Sequence, residues 1–430
     1  MMLLVLSLIV LLLLSIHCAG DGEPIYLVKH FDLYDETRNR SVPTSVYYPE
    51  EGGNYPIVIV SHGTGGDRNG LISHVEELVR NGYVVIVPEH VGSNKARLWE
   101  LMGEGYSIWD AIKVMIGDKT EWVNRPKDIS FVIDKAYEWN SSDPDLKGKM
   151  DLSKIGVMGH SFGGYTVMVV LGALVNLSGE MVGFADKRID AGLAISPPGP
   201  DGNPLLDHVN NFFTMDSWKN ITKPVSIHVE DDNLTEWRES LFDTLPEGDR
   251  FFLLFRNATH FSFSDNWDTQ RSRETSNVSK VLALRFFDVY LKGADKITYN
   301  ESFANSLCVS NEIVTEIVWK DKLPRDDPAI EIKKPLPGYL YLFNDTAIAL
   351  GGDYAMVIGS VSVEVEVSDG DGVDRVEFYL DGELMKTDDT EPFTWSIRGK
   401  LLSWHEIEII AHDELGHSSN LSFRAWFLVL

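Results

Sequence analysis

Six apolar runs of strand length constrain this chain more than any other feature. They occupy residues 57–61, 83–87, 154–158, 191–195, 225–229 and 251–255. Most are near-continuous in Val, Ile, Leu, Ala or Phe, the pattern of a strand covered on both faces. Amphipathic stretches at 71–81, 127–139 and 162–175 separate several of them and supply the covering helices. Together they predict an α/β fold, a mostly parallel sheet with helices on both faces. Residues 25–31 and 42–48 predict an antiparallel hairpin opening that sheet.

The rhythm changes after Lys292. Residues 323–337 are rich in Pro and charge and read as a linker. Beyond them 361–367 alternates with period two, 376–380 and 407–410 are further strands, and no helical pattern appears. The expected organisation is an export signal at 1–20, an α/β unit at 21–322, the linker, and a small all-β sandwich of immunoglobulin type at 338–430.

Gly159-His160-Ser161-Phe162-Gly163 fits G-x-S-x-G and lies directly between the strand at 154–158 and the helix beginning at Phe162. So tight a strand-to-helix turn strains the serine backbone and exposes its hydroxyl, and needs small neighbours, here Gly159, Gly163 and Gly164. The helix N-terminus favours negative charge developing beside Ser161. A second donor for that charge is expected from the loop after an earlier strand. Ser61-His62-Gly63-Thr64-Gly65-Gly66 stands there, and the N–H groups of Thr64 and Phe162 are the expected oxyanion pair.

In this chain order the acid and then the histidine follow the serine. His260, in a loop just past the strand at 251–255, is the expected base. His228 lies inside a strand, and His208 has no strand before it. Three carboxylates, Glu230-Asp231-Asp232, end the strand at 225–229. A loop acid a few residues past the strand favours Asp232 over Asp231 and Glu230. The competing position, after 191–195, holds Ser196-Pro197-Pro198. The expected triad is Ser161, Asp232 and His260.

These residues resemble the exported dienelactone-hydrolase-like and platelet-activating-factor-acetylhydrolase-like serine esterases of the α/β-hydrolase superfamily. The resemblance spans about 25–292 and is carried by the two glycine-rich motifs, 88–94, 124–132 and His260-Phe261-Ser262-Phe263. It implies ester hydrolysis by a Ser–His–Asp triad without metal. The expected reaction runs through an acyl-enzyme with no cofactor, on short-chain or bulky esters including polyesters. The acetylhydrolase branch carries its acid where this chain has Ser196. The dienelactone-hydrolase-like and cutinase-like branches carry it after the next strand. The tail resembles a bacterial or archaeal immunoglobulin-like module through 376–382, 390–395 and 411–417, which implies a spacer or a surface or polymer contact.

Other features point the same way or stay open. The chain carries 38 Lys plus Arg against 65 Asp plus Glu, a formal charge of −27, which argues against the phosphate attraction of nucleic-acid binders and against a basic patch for anionic lipid. Residues 1–16 are apolar residues and Ser without charge, read as an export signal cleaved near Gly20, with an uncleaved anchor or a lipidated Cys18 as alternatives. Ten N-x-[ST] triplets occur, where 21 Asn and 52 Ser plus Thr give about 2.5 by chance, as expected of a glycosylated surface. The two cysteines, Cys18 and Cys308, provide no disulfide framework. Residues 369–374 only begin a calcium-loop pattern and read as a turn. The aromatic-rich segment 95–123 fits either a cap over an acyl pocket or two packed helices. Trp218 and Trp237 fit either a cleft wall or core. The reading is a secreted or surface monomeric serine esterase. A peptidase of the same fold and a surface binding protein with an idle triad are the other classes.

Overall fold

The computed structural model describes residues 26–200, 212–265, 269–310, 317–323, 327–350, 354–369, 372–397, 400–413 and 417–429. The expected export segment and Cys18 lie outside them. The chain divides into two compact units at 323/324.

The first unit is built on β1 (Tyr26–Asp35), β2 (Arg40–Pro49), β3 (Tyr55–Ser61), β4 (Val84–Pro88), β5 (Met150–His160), a small hairpin of β6 (Leu174–Leu177) and β7 (Glu180–Gly183), and β8 (Ala191–Ile195), β9 (Val225–Glu230), β10 (Gly248–Phe255) and β11 (Ile317–Lys322). Its helices are α1 (Ile72–Arg80), α2 (Lys95–Gly103), α3 (Ile108–Gly117), α4 (Lys119–Ser142), α5 (Phe162–Leu171), α6 (Thr235–Thr244), α7 (Gln270–Lys292) and α8 (Glu301–Ser310). Nine strands form one sheet in the order β1-β2-β4-β3-β5-β8-β9-β10-β11. From β4 to β10 neighbours are parallel, whereas β1 with β2, β2 with β4, and β10 with β11 are antiparallel.

The apolar strands are covered on both faces, as their sequences require. Ile57, Ile59, Val157 and Ile227 pack with α4 and α5 residues such as Ile129, Ile133 and Val169. Val58, Val60, Met158 and Leu193 pack with Val75 and Leu78 of α1 and Leu282 and Phe286 of α7. This is the α/β-hydrolase arrangement, with the functional loops at the carboxyl ends of the parallel strands.

The second unit is a β-sandwich. A three-stranded sheet contains β12 (Ala329–Lys334), β16 (Ser362–Ser368) and β19 (Phe393–Ser396). A seven-stranded sheet contains β13 (Tyr339–Leu342), β14 (Asp345–Ala349), β15 (Tyr354–Ile358), β17 (Val373–Leu380), β18 (Glu383–Asp388), β20 (Leu401–Asp413) and β21 (Ser418–Val429). The stretch expected to be linker therefore holds a strand. β12 pairs antiparallel with β16, and Ile330 and Ile332 pack against the sandwich core. The prolines around it hid a period-two apolar pattern.

Candidate active site

Ser161 caps α5 with φ 56° and ψ −115°, the strained left-handed region that a non-glycine residue enters only when its surroundings enforce it. Its N–H donates to the Ile195 carbonyl at 2.8 Å. The glycines around it have no room for a side chain. A Cβ on Gly163 would stand 1.9 Å from the Ser61 carbonyl oxygen, and one on Gly159 would stand 2.5 Å from Gly163.

His260 Nε2 lies 3.0 Å from Ser161 Oγ, and His260 Nδ1 lies 2.8 Å from Glu230 Oε1. The structure thus corrects the expected acid. Asp232 Oδ1 accepts from the Leu234 N–H at 2.8 Å and from Arg238 at 3.1 Å, and Asp231 pairs with Arg256. β9 runs one residue further than the apolar run suggested, so Glu230 is its last residue and the longer glutamate arm reaches the imidazole. Glu230 is wholly buried. Burial alone would raise its pKa, but His260, Arg238 at 3.0 Å and the Ser196 hydroxyl together hold it well below the usual carboxylate range. Ser196, at the competing acid position, donates to Glu230 Oε2.

His160, the variable residue of the motif, holds the backbone of His260 in place. Its Nε2–H donates to the His260 carbonyl at 2.8 Å, and the two rings lie 4.8 Å apart. Burial pushes its pKa down to about 3, with His260 adding to the effect, so the ring is neutral.

The loop carrying Thr64 stands beside the serine. A Cβ on Gly63 would lie 3.4 Å from Ser161 Cβ. Neither the Thr64 nor the Phe162 N–H has a hydrogen-bond partner among the described residues. The loop is held from beneath by polar groups with no solvent exposure. Arg125 Nη2 donates to the His62 carbonyl, Nη1 to Ser93 Oγ at 2.9 Å and Nε to Thr166 Oγ1 at 3.2 Å, while its guanidinium lies 4.5 Å from the Phe162 ring centre. Burial lowers Arg125 to about 9, and Glu121 and Asp128 keep it from falling further. His62 Nδ1–H donates to the Gly63 carbonyl at 2.7 Å, which leaves Nε2 to accept from the His90 N–H at 2.9 Å.

The aromatic segment 95–123 is partly packed and partly exposed. Trp122 and Met115 are buried, whereas Trp99, Tyr106 and Trp109 are exposed. Trp109 stands 6.5 Å, ring to ring, from Phe261, the neighbour of His260. Trp99 and Leu98 border a small pocket with Gly65 and Gly66 of the loop after β3. Trp218 is core, and Trp237 is half-buried. Among the described residues no three His, Cys, Asp or Glu side chains gather as metal ligands.

Fold and site together define an α/β-hydrolase fold with Ser161 on a tight strand-to-helix turn, joined to an immunoglobulin-like sandwich. The family model for platelet-activating factor acetylhydrolase, isoform II, matches residues 33–98 and 113–179, and that for a bacterial Ig domain matches 351–409. The chain is 26% identical over 167 residues to a platelet-activating factor acetylhydrolase of Cavia porcellus, covering 34% of this chain and 36% of that protein. It is 24% identical over 224 residues to cutinase est1 of Thermobifida alba, covering 51% and 57%. It therefore spans about a third to just over half the length of these relatives. A solved ferulic acid esterase from Streptomyces cinnamoneus aligns with TM-score 0.46 and 19% identity, over 65% of this chain and 93% of the other.

Proposed function

We propose that this protein is a carboxylic ester hydrolase acting through Ser161, His260 and Glu230, with the Thr64 and Phe162 amides as oxyanion donors. The observation that carries the reading is His260 itself, bonded to Ser161 Oγ at 3.0 Å and to buried Glu230 at 2.8 Å. The Nδ1–H must point at the carboxylate, so Nε2 is free to accept the serine proton. Ser161 Oγ then bonds the ester carbonyl carbon, and the resulting oxyanion sits between the two amides. Collapse expels the alcohol, which takes the proton from Nε2. Water, deprotonated by the same nitrogen, releases the acid and restores Ser161. Glu230 stays ionised throughout and stabilises the imidazolium.

The acetylhydrolase and cutinase similarities support this activity. The exposed Trp99 and Trp109 on α2 and α3, beside the oxyanion and His260 loops, suit short-chain or bulky apolar esters, polyesters included. An extracellular location fits the apolar run at the N-terminus and the ten sequon asparagines, each of which is exposed or half-exposed. Among the described residues no helix is long and apolar enough to cross a membrane. Hydrolysis of p-nitrophenyl acetate to palmitate, with Ser161→Ala as control, tests the proposal. Loss of about 10³-fold or more in the variant is expected, and a loss under tenfold overturns it.

A further inference from the structure

The larger sheet of the sandwich departs from the rule that an outward face is polar. On β15, β20 and β21, residues such as Val357, Ile407 and Phe427 face the core. Their alternates face outward and fall into register across neighbouring strands. Ile348 stands beside Leu340, Leu340 beside Met356, Met356 beside Trp426 and Trp426 beside Trp404. This makes an apolar row five strands wide. A parallel row follows through Leu342, Ile358, Leu428 and Leu402. None of these residues is buried; Ile348 is 57%, Leu402 66% and Trp404 47% exposed. Tyr354 stands edge-on to Trp404 at 5.1 Å and extends the platform.

The same face supplies its own control. Toward β17 the outward positions are mixed, with Arg375, Glu377, Glu408 and His412 beside Ile410 and Tyr379. A solvated sandwich face looks like this. The apolar rows are thus confined to one end of one sheet, where exposed apolar area of this extent marks a contact site.

We infer that this platform docks the chain onto the flat surface of a neutral, water-insoluble polyester, the substrate of the tethered hydrolase unit; the inference rests on the function proposed above. The two rows themselves carry no charge; Arg424, whose guanidinium lies 5.8 Å from the Trp404 ring centre, and the Tyr354 phenol border them, so the platform offers a neutral apolar solid a broad contact with one cation and few hydrogen-bonding groups at its edge. Charge disfavours the other occupants. Residues 324–430 hold 20 Asp plus Glu against 8 Lys plus Arg, so a second copy and an anionic membrane are both repelled. A platform on the same chain as the esterase raises the local concentration of ester at Ser161 without new contacts in the active site.

The test uses the full chain carrying Ser161→Ala, so that nothing is degraded, and measures adsorption to poly(ε-caprolactone) film, to cellulose and to zwitterionic phosphatidylcholine vesicles. Adsorption to the polyester is expected to exceed both others and to fall about tenfold or more on adding Ile348→Ser, Leu402→Ser and Trp404→Ser, all at exposed positions. The same three changes with Ser161 intact should leave p-nitrophenyl acetate hydrolysis within twofold, and calorimetry of the triple variant should show the sandwich unit still melting as a cooperative unit, which reports its folding apart from that of the hydrolase unit. Undiminished adsorption in the triple variant, stronger binding to vesicles or cellulose, or no adsorption at all overturns the inference. Failure of the intact chain to hydrolyse any soluble ester would instead overturn the proposed function, an outcome read separately from adsorption.

Discussion

Ser61 Oγ lies 2.9 Å from His90 Nε2, and His90 Nδ1 lies 2.9 Å from Asp128 Oδ2. The protein thus carries a second serine–histidine–carboxylate chain, and all three of its members are buried. Burial and the nearby Arg125 push His90 well below the ordinary histidine range, so it is neutral. Asp128 also accepts from Arg38 and Arg40. The arrangement joins the end of β3 to α4 instead of facing a substrate. A fluorophosphonate probe is therefore expected to label Ser161 and leave Ser61 unmodified. Mass spectrometry of the labelled protein checks this, and label on Ser61 would sink the structural role given to the chain.

Arg125 connects that buried chain to the loop bearing Thr64. One guanidinium holds the His62 carbonyl, Ser93 and Thr166 at once, which a lysine cannot do with a single ammonium. Arg125→Lys is expected to lower kcat about 10- to 100-fold while KM changes less than threefold, because a displaced oxyanion donor acts in the transition state. Steady-state kinetics at matched folded fraction makes the distinction. A change confined to KM or to stability would leave Arg125 no part in positioning the loop.

The carboxylate is the sharpest case for mutagenesis. Glu230→Gln is expected to reduce kcat about 10³- to 10⁴-fold, since an amide neither stabilises the imidazolium nor enforces the Nδ1–H tautomer. Asp232→Asn should cost less than tenfold, through its contact with Arg238 alone. Parallel kinetics of the two variants decides, and the reverse order would restore Asp232.

Much of this site was legible in the chain because its parts are fixed by backbone geometry. Ser161, Phe162 and the surrounding glycines follow from a turn that only small residues can make, and His260 follows from its place after a strand. Glu230 was not legible. Whether a strand stops at Val229 or Glu230 depends on pairing with β10, where Glu230 sits opposite Phe255, and a one-residue shift changes which carboxylate reaches the ring. Arg125 was visible only as part of a motif, because helix periodicity does not reveal a cation buried beneath a loop. The β12 strand was obscured by prolines, although Ile330-Glu331-Ile332 alternates as a strand should.

Gly163 offers a direct test of the elbow. A methyl group there would stand 1.9 Å from the Ser61 carbonyl oxygen, and the obstacle is backbone that cannot rotate away. Gly163→Ala is expected to destabilise the hydrolase unit by about 3 kcal/mol or more, while the melting of the sandwich unit stays unchanged. Calorimetry of the full chain resolves the two units, and a neutral effect would show that the elbow packs less tightly than described.

Acid should weaken the hydrolase unit well above the pH at which carboxylates protonate. Burial pushes His160 and His228 down to about 3 and His74 to about 4. In the unfolded chain each titrates near 6.5. Between those values the unfolded state binds a proton that the folded state refuses, so stability is fully present above about 6.5 and falls as the pH drops toward 3 to 4. Each such histidine contributes a slope of about 1.4 kcal/mol per pH unit within that window. Denaturant unfolding at pH 7 and pH 5 should show the hydrolase unit losing several kcal/mol, and His228→Gln should remove about one proton from the uptake. Equal stability at the two pH values would mean that these histidines are charged or solvated in the folded protein.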